Sequence, residues 1–238
     1  MRNAKMLFPL VLVLLATACG PVEWLNPSFK EENLVLDPRL GGVWKDPDGT
    51  SILKFRATGG KGYELLETEI QTDKAEPELN KYEAHLVRVG EYLFLDLVPE
   101  TQRINPGSFK FPLAPVPDGT PVQPHLVKVG DGLYATLVQG PQVSEANQES
   151  GSCEVRLSQA HWVFRVWLDD SSLRLADLSE DWFKQAVDQG RVDLGFDRID
   201  DTVVVTASTE ELQTFLTEFA GDNLAFPEDA ALEYRHQE

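Results

Sequence analysis

The chain has 238 residues, with 39 acidic and 21 basic side chains and a formal net charge of −18. Its 42% of hydrophobic residues is enough for a folded core, which excludes a wholly disordered protein. A surface this acidic repels phosphate groups, and the sequence has no cluster of Lys and Arg to offset it. We therefore expect no nucleic-acid partner, and bare anionic lipid is a poor one.

The first predicted element is an export signal. Arg2 and Lys5 precede an apolar run over 7–15, and Ala-Thr-Ala stands directly before Cys19. A charged start, a short apolar core and small residues at the cleavage site are typical of a secretory signal peptide, and this core is too short to span a membrane. Removal of a signal peptide at 1–18 takes away two basic residues and no acid, so the net charge changes from −18 to −20.

The end of this signal resembles the bacterial lipobox, in which the cysteine becomes the lipidated first residue of the mature protein. The lipobox usually has Leu three places before the cysteine, whereas this chain has Ala16 there and Leu15 one place earlier. The resemblance implies that Cys19 is lipidated and that several acyl chains, palmitate among them, anchor the protein to a membrane. Because Gly20 rather than Asp follows, the sorting rule of enterobacterial lipoproteins implies the periplasmic side of the outer membrane. Ordinary cleavage after Ala18, which gives a soluble secreted form, is the alternative.

After the anchor, the sequence divides into three parts. Residues 19–39 include Pro21, Pro27 and the adjacent acids Glu31 and Glu32, and we predict a flexible tether. From residue 40 the hydrophobicity mostly alternates with period two, and glycine-rich turns such as 58–62 separate the runs, which indicates short antiparallel strands. We predict a β-rich ectodomain over 40–227 and a C-terminal tail over 228–238.

The clearest internal feature is a hairpin repeat. Residues 84–98 align without gaps to residues 124–138, and a looser third copy begins at His161. Each copy has an apolar strand with one basic residue, an acidic or glycine turn, and an alternating return strand. The copies either tile one sheet or barrel, or belong to two related halves, 40–104 and 108–227, on either side of a proline-rich loop.

Two helices are predicted after the third hairpin. Ser179 is an N-cap for a helix over 180–189, with Gly190 just past its end. A capping box of Ser208 and Glu211 opens the second helix, whose apolar face is expected to cover the sheet or a barrel end. The predicted fold is mainly β, with antiparallel hairpins in a barrel-like arrangement or in two related half-sheets, and with two C-terminal α-helices.

Gly42-Val43-Trp44 in the first strand resembles the Gly-x-Trp opening of lipocalins, some of which are bacterial lipoproteins. The resemblance implies that Trp44 closes one end of a barrel whose interior holds a small apolar ligand. Two separated helices and a hairpin repeat depart from the lipocalin pattern, which ends in one helix and one strand. Trp44, Tyr63, Tyr92 and Tyr134 are the aromatic candidates for a ligand pocket or face, although aromatic residues on strands more often form the core.

His85, His125 and His161 occupy the same position in the three hairpins. If the hairpins surround a pseudo-symmetric axis, three imidazoles converge on a zinc ion that also binds a water. Otherwise each imidazole bonds to a neighbouring strand end, and the spacings of 40 and 36 residues lack the short pairing usual in metal sites. Cys153 has no partner if Cys19 is lipidated, so it is a nucleophile, an intermolecular crosslink or a small residue at a strand start.

Other catalytic patterns are missing from the sequence. It has no Gly-x-Ser-x-Gly elbow, phosphate-binding glycine loop, Cys-x-x-Cys or His-Glu-x-x-His motif. Acid pairs such as Glu67 with Glu69 are expected on solvated strand faces of so acidic a chain. No enzyme activity and no cofactor are predicted.

The leading hypothesis is a non-catalytic, membrane-anchored envelope lipoprotein that binds a small apolar ligand or a protein partner of the envelope. One alternative is a zinc-dependent hydrolase that uses the three repeated histidines. The other is a structural or assembly lipoprotein without a ligand, which needs an exposed apolar patch or sheet edge.

Overall fold

A computed structural model describes residues 22–71, 76–100, 125–130, 132–139, 153–199 and 202–237. The predicted signal peptide, Cys19 and the proline-rich loop lie outside these residues. Within them, no helix is long and apolar enough to cross a membrane.

The described elements comprise strands and two α-helices. The helices are α1 (Glu180–Asp188) and α2 (Thr209–Phe219). The strands are β1 (Glu23–Trp24), β2 (Gly42–Lys45), β3 (Ser51–Ala57), β4 (Gly62–Glu69), β5 (Glu78–Val89), β6 (Tyr92–Pro99), β7 (His125–Gly130), β8 (Leu133–Gln139), β9 (Cys153–Gln159), β10 (His161–Leu168), β11 (Ser172–Asp177), β12 (Phe196–Ile199), β13 (Thr202–Val205) and β14 (Leu232–Gln237).

Eight strands close into an antiparallel barrel, which confirms the mainly β prediction and selects the barrel over two half-sheets. The order around the barrel is β2, β3, β4, β5, β6, β10, β11 and β14, and β14 pairs with β2 to close the ring. Neighbouring strands follow one another along the chain, as in an up-and-down barrel. The prediction of a tail over 228–238 is wrong, because residues 232–237 form the closing strand.

The three predicted hairpins are present, but they do not share one sheet. The first is β5 with β6 and the third is β10 with β11, and both belong to the barrel. The second, β7 with β8, joins β9 in a separate three-stranded sheet that is inserted between β6 and β10. The sequence repeat therefore marks a shared local structure rather than equivalent positions around one axis.

The barrel interior is lined by the apolar residues that alternate along its strands. At one end, Trp44 and Leu40 are fully buried, and the Trp44 indole Nε1 donates a hydrogen bond to the Leu40 carbonyl oxygen at 2.9 Å. Gly42 is required beside them, since its φ is 128° and an added Cβ would lie 2.5 Å from Nε2 of His236. The Gly-x-Trp sequence thus has a packing role at this end of the barrel.

The two helices cover the outside of the barrel wall rather than one of its ends. Val87, Val89 and Phe94 on the outer face of β5 and β6 form one cluster with Leu212 and Phe215 of α2. Helix α1 starts at the predicted N-cap and α2 at the predicted capping box. The apolar face of α2 therefore covers the sheet, which was one of the two expected arrangements.

The segment before the barrel packs against it, where a flexible tether over 19–39 was predicted. Strand β1 pairs with both β10 and β13, and Val22, Trp24 and Ser28 are buried. Burial of the Trp24 side chain in the helix-covered cluster explains the difference, because apolar contact offsets the entropy lost on ordering the segment.

Candidate ligand-binding site

A cavity of about 640 Å³ opens at one end of the barrel. Its rim contains Glu69 at the end of β4, Glu78 at the start of β5 and Leu232 at the start of β14. Leu40 precedes β2 and therefore lies at the opposite end, because neighbouring strands run antiparallel. One end of the barrel is thus filled by Leu40 and Trp44, and the other contains the cavity.

The wall of the cavity is mostly apolar and aromatic. Its inward-facing side chains come from seven barrel strands, and they are Leu53, Leu65, Tyr82, Leu97, Trp162, Phe164, Leu175 and Tyr234. The rings of Tyr82 and Trp162 pack against each other, with centroids 5.5 Å apart. The Trp162 Nε1 atom is buried and has no hydrogen-bond partner among the described residues. Such orphaned buried donors are rare in folded proteins.

Two carboxylates extend the wall toward the opening. Glu67 and Glu69 are separated by one residue on β4, so both face the interior. Tyr82 donates a hydrogen bond from its hydroxyl to Oε2 of Glu67 at 2.9 Å, and the Gln71 amide donates to Oε2 of Glu69 at 3.4 Å. Neither carboxylate forms a salt bridge within the described part of the chain. The sequence-based expectation that this acid pair lies on a solvated face is therefore wrong.

The surroundings of Glu67 disfavour its charged form. Burial raises the pKa of Glu67, and the negative charges of Glu69 and Glu78 raise it further, while hydrogen bonds from Tyr82 and Asn80 oppose the change. Burial also raises the pKa of Tyr82 and that of Tyr234, so both phenols stay neutral in ordinary buffers. Half-buried Glu67 is therefore a carboxyl of the cavity whose pKa is raised by its surroundings.

Replacement of Glu67 by Gln is expected to stabilise the protein at pH 7. Because the pKa of Glu67 is higher in the folded state than in the unfolded chain, ionisation of this carboxyl lowers the free energy of unfolding as the pH rises above the ordinary Glu value of about 4.3. The gain in melting temperature for Glu67→Gln should be present at pH 7 and vanish near pH 4. Thermal unfolding followed by circular dichroism at both pH values measures it.

The control for this experiment is Glu64→Gln, on the outer face of the same strand. A hydrogen bond from Lys81 lowers the pKa of Glu64, so this substitution should destabilise the protein at pH 7, not stabilise it. If both substitutions changed the melting temperature at pH 7 equally and with the same sign, the conclusion that burial disfavours the charged form of Glu67 would be contradicted.

The four aromatic residues singled out in the sequence lie outside this cavity. Trp44 fills the opposite end, and the Tyr63 hydroxyl donates to the Asp37 carbonyl oxygen at 2.8 Å. Tyr92 packs against the Arg165 guanidinium at 4.8 Å, and Tyr134 of β8 donates to Glu23 at 2.6 Å.

The aromatic residues that do line the cavity are Tyr82, Trp162, Phe164 and Tyr234. The spacing of Trp162 and Phe164 by two, which places both on one face of a strand, was the sequence signal that could have identified them.

Two of the three repeated histidines lie on the outer face of the barrel. His161 Nδ1 is 2.6 Å from Oδ1 of Asp96, whose Oδ2 accepts hydrogen bonds from the backbone N–H and hydroxyl of Ser28. The ring of His85 packs on Phe29 with centroids 4.6 Å apart. His125 begins β7, and its side chain lies outside the described residues.

A zinc centre at these histidines stays a prediction. Within the described part of the chain, no three His, Cys, Asp or Glu side chains are placed to hold a metal ion. Cys153 begins β9, as expected for a residue at a strand start, but its side chain is not described.

Comparison with known proteins does not assign a family. The chain matches no protein-family model, no curated protein and no solved structure.

Proposed function

We propose that this protein is an envelope lipoprotein, anchored through Cys19 on the periplasmic side of the outer membrane, that binds a small, largely apolar ligand inside its barrel. The cavity of about 640 Å³ is the observation that carries this proposal. Its size falls within the range of about 300–1,000 Å³ typical of small-molecule sites. An eight-stranded barrel is either filled by its own side chains or holds one small ligand, and this one leaves space at one end.

The asymmetry of the two barrel ends also supports ligand binding. Leu40 and Trp44 are fully buried at the filled end, so the interior is blocked there. At the other end the leucines and aromatic rings of the wall meet open space. This arrangement, with the up-and-down strand order, is what the resemblance to lipocalins implies, although the inserted sheet and helices depart from that family.

The experiment is a fluorescence titration of the mature chain with the neutral probe N-phenyl-1-naphthylamine. Cys19→Ser keeps the protein soluble without its lipid. We expect saturable binding of one probe per chain, because the wall is apolar and partly enclosed. Leu175→Trp, which places a larger side chain in the wall, should weaken binding at least about tenfold, since about 1.4 kcal/mol corresponds to that factor.

Leu224→Trp is the matched control, because Leu224 is 72% exposed and lies away from the cavity. It should leave the affinity unchanged, and near-UV circular dichroism verifies that both variants are folded. If Leu175→Trp does not fold, the smaller change Leu97→Phe is a second variant that reduces the same cavity. Absence of binding, or equal binding by folded cavity variants and control, would contradict the proposal.

A further inference from the structure

We propose that the cavity selects an organic cation, an amine carried on an apolar or aromatic body. This inference rests on the proposed function, because it names the ligand class for the same cavity.

The charge of the lining is the first observation. The charged residues that line the cavity are five glutamates and two lysines, so acidic side chains outnumber basic ones in the lining. Both lysines already have acidic partners, since Lys81 contacts Glu64 and Glu100 at 3.2 and 2.6 Å, and Lys128 contacts Glu23 at 3.1 Å. Both lysines are thus paired with acids, including Glu100 and Glu23 of the same lining.

The position of Glu67 and Glu69 is the second observation. They lie where the apolar wall meets the opening, and neither has a salt-bridge partner in the described part of the chain. A carboxylate offers about four acceptor sites, so the hydrogen bonds to Glu67 from Tyr82 and Asn80 leave room for an ammonium donor. An ammonium group here would pair with both acids, and an anionic group would be repelled.

The aromatic wall supplies the third observation. Tyr82, Trp162 and Phe164 line the same cavity as the two carboxylates, and the Tyr82 hydroxyl contacts Glu67 directly. Aromatic faces attract cations as well as apolar bodies. A single molecule with an apolar ring and a protonated amine satisfies the wall and the carboxylates together, whereas a purely apolar ligand leaves the acids unpaired.

The experiment compares three probes that share one ring system, and it uses isothermal titration calorimetry of the mature chain with Cys19→Ser. The probes are 2-naphthylmethylamine, 2-naphthylmethanol and 2-naphthoic acid, which are cationic, neutral and anionic at pH 7.5. We expect the amine to bind at least tenfold more tightly than the alcohol, and the acid to bind more weakly than the alcohol.

The three probes also separate this inference from the proposed function. Equal affinity for amine and alcohol, or tighter binding of the acid, overturns cation selection while ligand binding stands. If none of the three binds and N-phenyl-1-naphthylamine does not bind either, the proposed function fails as well.

Variants locate the selectivity at the two carboxylates. Glu67→Gln and Glu69→Gln should each weaken amine binding about five- to tenfold and leave alcohol binding within twofold. Glu64→Gln, on the outer face of the same strand, should change neither. Selectivity that persists in the double variant Glu67→Gln/Glu69→Gln overturns the assignment.

The pH dependence gives an independent readout. Glu67 faces Glu69 on its own strand, Glu78 and Tyr82 on β5, and Tyr234 on β14. Because burial raises the pKa of Glu67, this carboxyl takes up its proton at a higher pH than an exposed Glu, and the preference for amine over alcohol should fall between pH 7.5 and pH 5. In Glu67→Gln this fall should be smaller, and an identical pH profile would overturn the role of Glu67.

Discussion

Asp96→Ala is expected to lower the free energy of unfolding by about 3–5 kcal/mol, the usual effect of removing one member of a buried charged network. Asp96 is fully buried, and its two oxygens contact His161 at 2.6 Å and the backbone and hydroxyl of Ser28 at 2.9 and 2.7 Å. Its removal leaves these polar groups without their acceptor. The network also joins Ser28, in the segment before the barrel, to β6 and β10. Its loss should therefore destabilise both this segment and the barrel wall.

Urea unfolding of the mature chain measures this effect. Asp96→Asn should cost less, because an amide oxygen still accepts a hydrogen bond from Ser28. Glu83→Ala is the control on the neighbouring strand, since its side chain is 70% exposed and only approaches His85 at 3.4 Å. We expect less than about 1 kcal/mol there. If Asp96→Ala cost no more than Glu83→Ala, the buried network would not stabilise the fold.

Trp44→Ala is expected to cost about 3–5 kcal/mol as well, for a different reason. The substitution leaves a void beside Leu40 and removes the donor of the 2.9 Å hydrogen bond to its carbonyl oxygen. It also removes the edge contact between the Trp44 ring and His236 of the closing strand, whose centroids are 4.8 Å apart. The substitution therefore removes both the packing of this barrel end and a contact with the closing strand.

Trp167→Ala is the matched control, because Trp167 lies on the outer face of β10. It packs against the guanidinium groups of Arg165 and Arg174, with the ring centroid 4.5 and 5.3 Å from them. Partly exposed contacts of this kind contribute about 0.5–1 kcal/mol each. If Trp44→Ala and Trp167→Ala lowered the free energy of unfolding equally, the role of Trp44 in packing the filled end of the barrel would be contradicted.

Local structure could be predicted from the sequence, because its signals are local. The hairpins follow from period-two alternation and turn residues, and the helices follow from the caps at Ser179 and Ser208. Closure of the barrel is different, since it depends on pairing between β2 and a strand almost 200 residues later in the chain. That strand carries only Leu232, Tyr234 and His236 on alternate positions, too weak a pattern to distinguish it from a tail.

The candidate site was harder to predict than the fold. Glu67 and Glu69 have the alternation of any acidic strand, and only the register of β4 in the closed barrel shows that they face inward. The same holds for the choice among aromatic residues, because Tyr82 and Tyr92 belong to one hairpin and only Tyr82 lines the cavity. Placing a half-buried carboxylate without a cation costs stability, and such local costs cluster at functional sites.

The most direct test of ligand binding inside the barrel is a methyl NMR titration of the mature chain, labelled at leucine, with N-phenyl-1-naphthylamine. We predict saturable shifts at Leu53, Leu97 and Leu175 of the cavity wall, with one midpoint for all three. Leu212 and Leu216, which lie in the helix-covered cluster outside the barrel, should not shift. Shifts confined to Leu212 and Leu216, or no shifts at the cavity leucines, would contradict ligand binding in the barrel.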